Sequence, residues 1–102
     1  MQPNDVGVII PAYNEEERLG STLKTLKKLN IVKDILVIDD GSMDRTGQIA
    51  KEEGARLISF EKNRGKGHAL KEGIHHLDNS IIVFLDADVG ETAKEITKLI
   101  YP

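Results

Sequence analysis

Cysteine is absent from the 102 residues, which excludes disulfide frameworks, zinc ribbons, thiol nucleophiles and iron–sulfur clusters. Any metal must then be held by oxygen or by one of the three histidines. Tryptophan is absent too, and two tyrosines and two phenylalanines make up the aromatics. Aliphatic side chains must therefore do most of the packing, with Tyr13, Phe60, Phe84 and Tyr101 expected to help fill the core. Long apolar runs are missing: the longest, Ile81 to Leu85, is five residues, against the roughly 20 a helix needs to span a bilayer. Met1 to Val6 lacks the basic-then-apolar pattern of a signal peptide, so a soluble, cytoplasmic chain is expected. Nor is there a basic stripe. Fourteen Lys and Arg are interspersed among 17 Asp and Glu for a net charge of −3, which leaves no electrostatic footprint for nucleic acid. The length predicts one domain over residues 1–102, with modest stability to spare.

What is present is a regular alternation. Val6 to Ile10 is a short apolar run stopped by Pro11, which predicts a buried strand. Asn14 is placed to cap a helix from about Glu15 to Leu29, with Glu15, Glu16 and Glu17 in the first turn and Leu19, Leu23 and Leu26 at helical spacing. Ile35 to Ile38 predicts a second strand ending at Asp39-Asp40-Gly41-Ser42. Asp44 can cap a second helix that turns Ile49 and Ala50 inward, and Gly54 sits where a left-handed C-terminal residue is wanted. Arg56 to Phe60 follows as a third strand. Ala69, Leu70, Ile74 and Leu77 mark a third helix, Ser80 to Leu85 a fourth strand, and Glu91 to Ile100 a fourth helix with Ile96, Leu99 and Ile100 facing in and Pro102 as its stop. Four strands alternating with four helices predict an α/β, Rossmann-like doubly wound parallel sheet.

In such sheets ligands bind outside the carboxyl ends of the strands, where strand order reverses. Those ends carry Pro11-Ala12-Tyr13-Asn14-Glu15, then Asp39-Asp40-Gly41-Ser42, then Asn63-Arg64-Gly65-Lys66-Gly67, then Asp86-Ala87-Asp88. Carboxylates from strands about 4.8 Å apart repel one another, and a divalent cation is the simplest remedy. Oxygen ligands without thiols point to Mg2+ or Mn2+, which bridge one or two carboxylates to a substrate phosphate, so a diphosphate ligand is expected. The alternative is that these aspartates are ordinary turn residues. A phosphate-binding glycine loop needs glycine directly after the first strand, where this chain has Tyr13 and three glutamates. Tyr13 can stack on a base, and Lys66, between two glycines, can reach a base edge or a phosphate. His68, His75 and His76 lack ligand spacing and are expected on a solvated helix surface. Ser42 lacks the strained elbow of a hydrolase nucleophile.

Taken together, VIIPAYNEEERL, ILVIDDGSMDRTGQIA, NRGKGHALKEGI and IIVFLDADV resemble the successive signatures of family 2 glycosyltransferases with the GT-A fold, in the branch similar to dolichyl-phosphate mannose and undecaprenyl-phosphate sugar synthases. The resemblance runs from Val6 to Ile100. It implies transfer of a sugar from a nucleoside-diphosphate donor, UDP- or GDP-linked, with Mg2+ or Mn2+ at the aspartate motif. It also implies that Pro11, Ala12, Tyr13 and Glu15 contact the nucleoside, that Asp40 hydrogen-bonds the base with Asp39 in support, and that Lys66 completes the base pocket. Asp86 and Asp88 correspond to the metal motif that serves catalysis, Asp88 being the direct ligand. Relatives in that branch often carry a glutamine two residues after the motif; Gly90 stands there instead, leaving one ligand fewer. Family members generally invert, using a carboxylate base that has no counterpart in this sequence.

Enzymes of the family run to roughly twice this length. The chain is thus expected to be the donor-binding half, shortened or a stand-alone remnant, and not fully active alone. The acceptor, a polyprenyl phosphate or a glycan, would be bound by the other half, and longer relatives can be membrane-associated. A sheet left with an open edge predicts self-association through it. Two other readings carry different expectations. A non-catalytic nucleotide-binding or protein-interaction module would bind without turnover, and a receiver-like domain would need its acidic pair after the first strand and five strands.

Overall fold

The computed structural model describes residues 5–100, the side chains of residues 99 and 100 excepted. Its elements are β1 (Val6–Ala12), α1 (Leu19–Lys27), β2 (Val32–Asp39), α2 (Thr46–Glu52), β3 (Arg56–Ser59), α3 (Lys66–Ile74), β4 (Ile81–Phe84) and α4 (Ile96–Ile100), the last entered through a 3₁₀ turn, Gly90–Glu95. The strands form one parallel sheet in the order β3-β2-β1-β4. The predicted class, α/β and doubly wound, is the one observed.

Alternation along β1 divides the core in two. Val6, Val8, Ile10 and Ala12 point to one face, where they meet Leu19, Leu23 and Leu26 of α1, Ala50 of α2, Ala93 and Ile96. Ile9 points to the other, with Leu36, Ile38, Ala69 of α3 and Leu77. The first three leucines were legible from their spacing. Of the aromatics, Phe60 packs against the second cluster, whereas Tyr13 and Phe84 are each 48% exposed, so they do not fill the core as expected. The predictions for Leu99 and Ile100 as core residues and for Tyr101 and Pro102 fall outside the described side chains. Among the described residues no helix is long and apolar enough to cross a membrane.

Several boundaries differ from expectation, each for a physical reason. β1 runs through Pro11 to Ala12. Ile9 O accepts from Leu85 N on the β4 side and Ala12 O accepts from Asp40 N on the β2 side, so the ring nitrogen of Pro11 faces the side where β4 has already ended and no ladder bond is lost. The first helix begins at Leu19, not Glu15, because Asn14, Glu15 and Glu16 are drawn into hydrogen bonds with the next loop. Asn14, the expected cap, has φ 53° and does not cap. Gly54 does close α2 as read, at φ 81°, with Gly54 N donating to Lys51 O and Ala55 N to Ala50 O, a Schellman arrangement. In α3 the inward positions are Ala69 and Gly73, the latter with its Cα against Ile9, while Ile74 is 48% exposed and Leu77 is buried beyond the helix end. The fourth helix is mostly 3₁₀, starting at Gly90 with φ 55°.

Candidate functional site

The strand order reverses between β1 and β4, and a cleft of about 410 Å³ opens there at the carboxyl ends of the strands. Pro11, Ala12, Tyr13, Glu15, Asp40, Lys66, Asp86 and Asp88 all line it, together with Asn63, Gly65 and Ala87. Asp39 does not. As the last residue of β2 it points to the α2 face, where its Oδ1 accepts from Ser42 N at 3.0 Å and shapes the turn.

The first two loops are stitched together. Asn14 N donates to Ser42 Oγ (2.9 Å) and Asn14 Oδ1 accepts from Met43 N (2.9 Å). Glu15 N donates to Thr46 Oγ1 (2.9 Å), Glu16 N to Asp44 Oδ2 (3.2 Å), and Arg45 N to Glu16 Oε2 (3.3 Å). Thr46 is fully buried and its hydroxyl donates in turn to Asp44 Oδ1. Asp44 thus caps from two residues before the helix, its Oδ1 also accepting from Thr46 N. Partial burial raises its carboxyl, but the bonds from the Thr46 hydroxyl, Thr46 N and Glu16 N outweigh that and hold it below the usual carboxylate range. This stitching presents Tyr13 and Glu15 to the cleft.

The third loop is fastened by Asp40. The side chain is 3% exposed, and its two oxygens accept from Arg64 N (2.7 Å) and Gly65 N (3.0 Å), while Asn63 Nδ2 donates to the Asp40 carbonyl (3.3 Å). Asp40 therefore sets where α3 starts and where Lys66 stands. A carboxylate offers about four lone-pair sites, so acceptor capacity is left over.

The fourth loop carries the aspartate pair. Thr22, fully buried on α1, donates to Ala87 O (2.7 Å) and accepts from Gly90 N (2.8 Å), so that one hydroxyl spans the loop between the two aspartates and the 3₁₀ turn. Gly90, the position expected to cost the site a ligand, is here a backbone hinge at positive φ tied to Thr22. Asp86 pairs with Lys66 Nζ at 2.5 Å, and Asp88 with Arg18 Nη1 at 3.7 Å.

The mutual repulsion of strand-end carboxylates, which suggested a cation, is thus already relieved within the chain: Asp39 and Asp40 by backbone N–H groups, Asp86 and Asp88 by Lys66 and Arg18. Among the described residues no three His, Asp or Glu side chains form a ready cage for a metal. Asp86 and Asp88 offer two carboxylates, hard oxygen donors that fit Mg2+ or Mn2+ with the remaining positions left to waters and substrate phosphates. Sequence reasoning missed Thr22, Thr46 and Arg18. Threonine and arginine on a helical pattern carry no signal of their own until the fold places a loop carbonyl or a carboxylate beside them. The histidines are exposed as expected, but only His68 is on the helix, packing edge-on against Phe60 with ring centroids 5.3 Å apart; His75 and His76 lie in the turn after α3, with His76 Nε2 3.6 Å from Glu72.

Comparison with known proteins gives these features a context. An uncharacterised protein of Methanocaldococcus jannaschii is 43% identical over 102 residues, 97% of this chain and 42% of that protein. The 4,4'-diaponeurosporenoate glycosyltransferase of Staphylococcus haemolyticus is 40% identical over 90 residues, 82% of this chain and 24% of the relative. The chain thus spans less than half the length of these relatives. Glucosyl-3-phosphoglycerate synthase of Mycobacterium tuberculosis, solved with Mn2+, UDP and glucosyl-3-phosphoglycerate, superposes with a TM-score of 0.81 at 29% identity, over 92% of this chain and 37% of that one. The same enzyme has been solved with Mn2+, UDP-glucose and phosphoglyceric acid. The description Glycosyl transferase family 2 matches residues 7–102, taking in all four strands and each loop of the cleft, and the chain therefore belongs to that family.

Proposed function

We propose that the cleft binds a nucleoside-diphosphate sugar, UDP- or GDP-linked, as the donor half of a sugar-transfer enzyme. The observation that carries this reading is the gathering of Tyr13, Asp40, Lys66, Asp86 and Asp88 from four separate loops into one cleft at the strand-order reversal. The similarity to a synthase solved with UDP and Mn2+ supports it. Tyr13, half exposed at the mouth, offers a flat face to the base; Asp40 keeps spare acceptor capacity toward it; Lys66 stands within reach of the diphosphate. Asp86 and Asp88 would hold Mg2+ or Mn2+, which when bound stabilises charge on the departing diphosphate as a Lewis acid. Pro11 and Ala12 form the floor, and Pro11, lacking an N–H, adds no competing donor there. Transfer with inversion needs a base and an acceptor pocket, for a polyprenyl phosphate or a glycan; neither is assigned to residues 1–102, read as a single donor domain. The reading places the chain in the cytoplasm, where nucleotide sugars are the donors.

Isothermal titration with UDP and with GDP, each with and without Mn2+, tests the proposal. One nucleotide is expected to bind only with Mn2+, and Asp88→Ala to abolish that binding; failure of both nucleotides under every condition would sink the reading in favour of an interaction module.

We further propose that β4, an edge strand whose Phe84 is 48% exposed, pairs with a second copy of the chain. Light scattering on a sizing column is expected to show a dimer that Phe84→Glu converts to monomer. A clean wild-type monomer at high concentration counts against it.

A further inference from the structure

The two carboxylates assigned to the cation are already paired with cations from the chain itself. Lys66 Nζ sits 2.5 Å from Asp86 Oδ1, reaching across from the start of α3 to the end of β4. Arg18, which precedes α1, bridges two loops: its Nη1 is 3.7 Å from Asp88 Oδ2 and its Nη2 is 2.9 Å from Glu15 Oε1, a buried oxygen that receives no aligned hydrogen bond. All four paired side chains beyond Glu15 are 44–60% exposed, so these are weak, water-accessible pairs that a stronger ion can break.

From this geometry we infer that Lys66 and Arg18 are resident counter-ions of the aspartate pair, and that a divalent cation enters by exchange, releasing both toward the diphosphate. The inference rests on the proposal that Asp86 and Asp88 take a divalent cation. Charge makes the exchange consistent. A dication neutralises two carboxylates, which leaves the two freed side-chain cations beside the site where a multiply charged diphosphate arrives. Both are built to stay close: Lys66 is anchored through the Asp40 bonds to the adjoining Arg64 and Gly65, and Arg18 through its contact with Glu15. The same two residues thus oppose the metal and favour the nucleotide.

That opposition of sign is the test. Binding of Mn2+ alone, followed by the electron spin resonance of the free ion, is compared among wild type, Lys66→Met, Arg18→Met and Asp88→Asn, with Lys62→Met as an exposed neighbouring cation outside these pairs. Each of the first two substitutions is expected to tighten Mn2+ by about two- to fivefold, the range for exposed ion pairs, while Lys62→Met leaves it unchanged. With saturating Mn2+, the same two substitutions are expected to weaken UDP or GDP, whichever the wild type binds. Mn2+ affinity unchanged or lowered in Lys66→Met and Arg18→Met, with Asp88→Asn still abolishing binding, overturns the exchange and leaves the metal site standing. Tighter Mn2+ without weaker nucleotide overturns the release onto diphosphate. Mn2+ binding indifferent to Asp88→Asn overturns the metal site and the exchange with it.

Discussion

Gly41→Ala is expected to destabilise the protein by about 3–5 kcal/mol, measured by urea denaturation, and to abolish the nucleotide binding proposed above. Two costs combine. Gly41 has φ 78°, a left-handed conformation that charges an L side chain about 1–2 kcal/mol. An added Cβ would also stand 2.5 Å from the carbonyl carbon and 2.8 Å from the Cα of Lys62, and closer still to Asn63 N, all backbone atoms. Relief requires the third loop to move. That loop is held by the Asp40 carboxylate through Arg64 N and Gly65 N, so moving it strands a buried carboxylate. Gly54 separates the two costs, since it has φ 81° with nothing within 4 Å of its would-be Cβ. Gly54→Ala should lose only the conformational part, about 1–2 kcal/mol. Equal losses in the two variants would mean that the close approach at Gly41 contributes nothing.

Thr22→Val should cost about 2–4 kcal/mol and loosen the aspartate loop without altering side-chain volume. The hydroxyl serves the Ala87 carbonyl and the Gly90 N–H at once, at a position with no exposure to water, and valine satisfies neither. Serine keeps the hydroxyl, so Thr22→Ser is expected to retain loop order and most of the stability. Amide hydrogen exchange resolves the local effect: Gly90 should exchange much faster in Thr22→Val than in Thr22→Ser. If Gly90 exchanges alike in both, the hydroxyl does not hold the loop.

Much of this fold is legible in the chain because strand and helix alternate with distinct periods. Val6 to Ile10 reads as a buried strand and Ser80 to Leu85 as a strand by their apolar character, and Leu19, Leu23 and Leu26 as one helix face by their spacing. Because ligands of such sheets gather at strand carboxyl ends, the loops lining the cleft could be picked out before any geometry was known. What was hidden is tertiary. Asn14, Glu15 and Glu16 look like the start of a helix until the loop bearing Ser42, Asp44 and Thr46 takes their hydrogen bonds. Gly73 looks like a weak helix position beside Ile74, yet the approach of Ile9 selects the residue with no side chain. Asp39 and Asp40 are neighbours in sequence, and only the alternation of β2 sends one into the turn and the other into the cleft.

The strand order has a further consequence, in time. β1 is flanked by β2, which follows it closely in the chain, and by β4, whose Ile81 must travel back to Val6 at the far end of the sequence. A ribosome delivers β1, β2 and β3 with α1 and α2 first, and that unit can pair while one edge of β1 still lacks its neighbour. Asp86 and Asp88 emerge only behind β4. The growing chain therefore acquires its loop scaffold before its acidic motif, and a ligand that needs both selects for molecules in which β4 has docked.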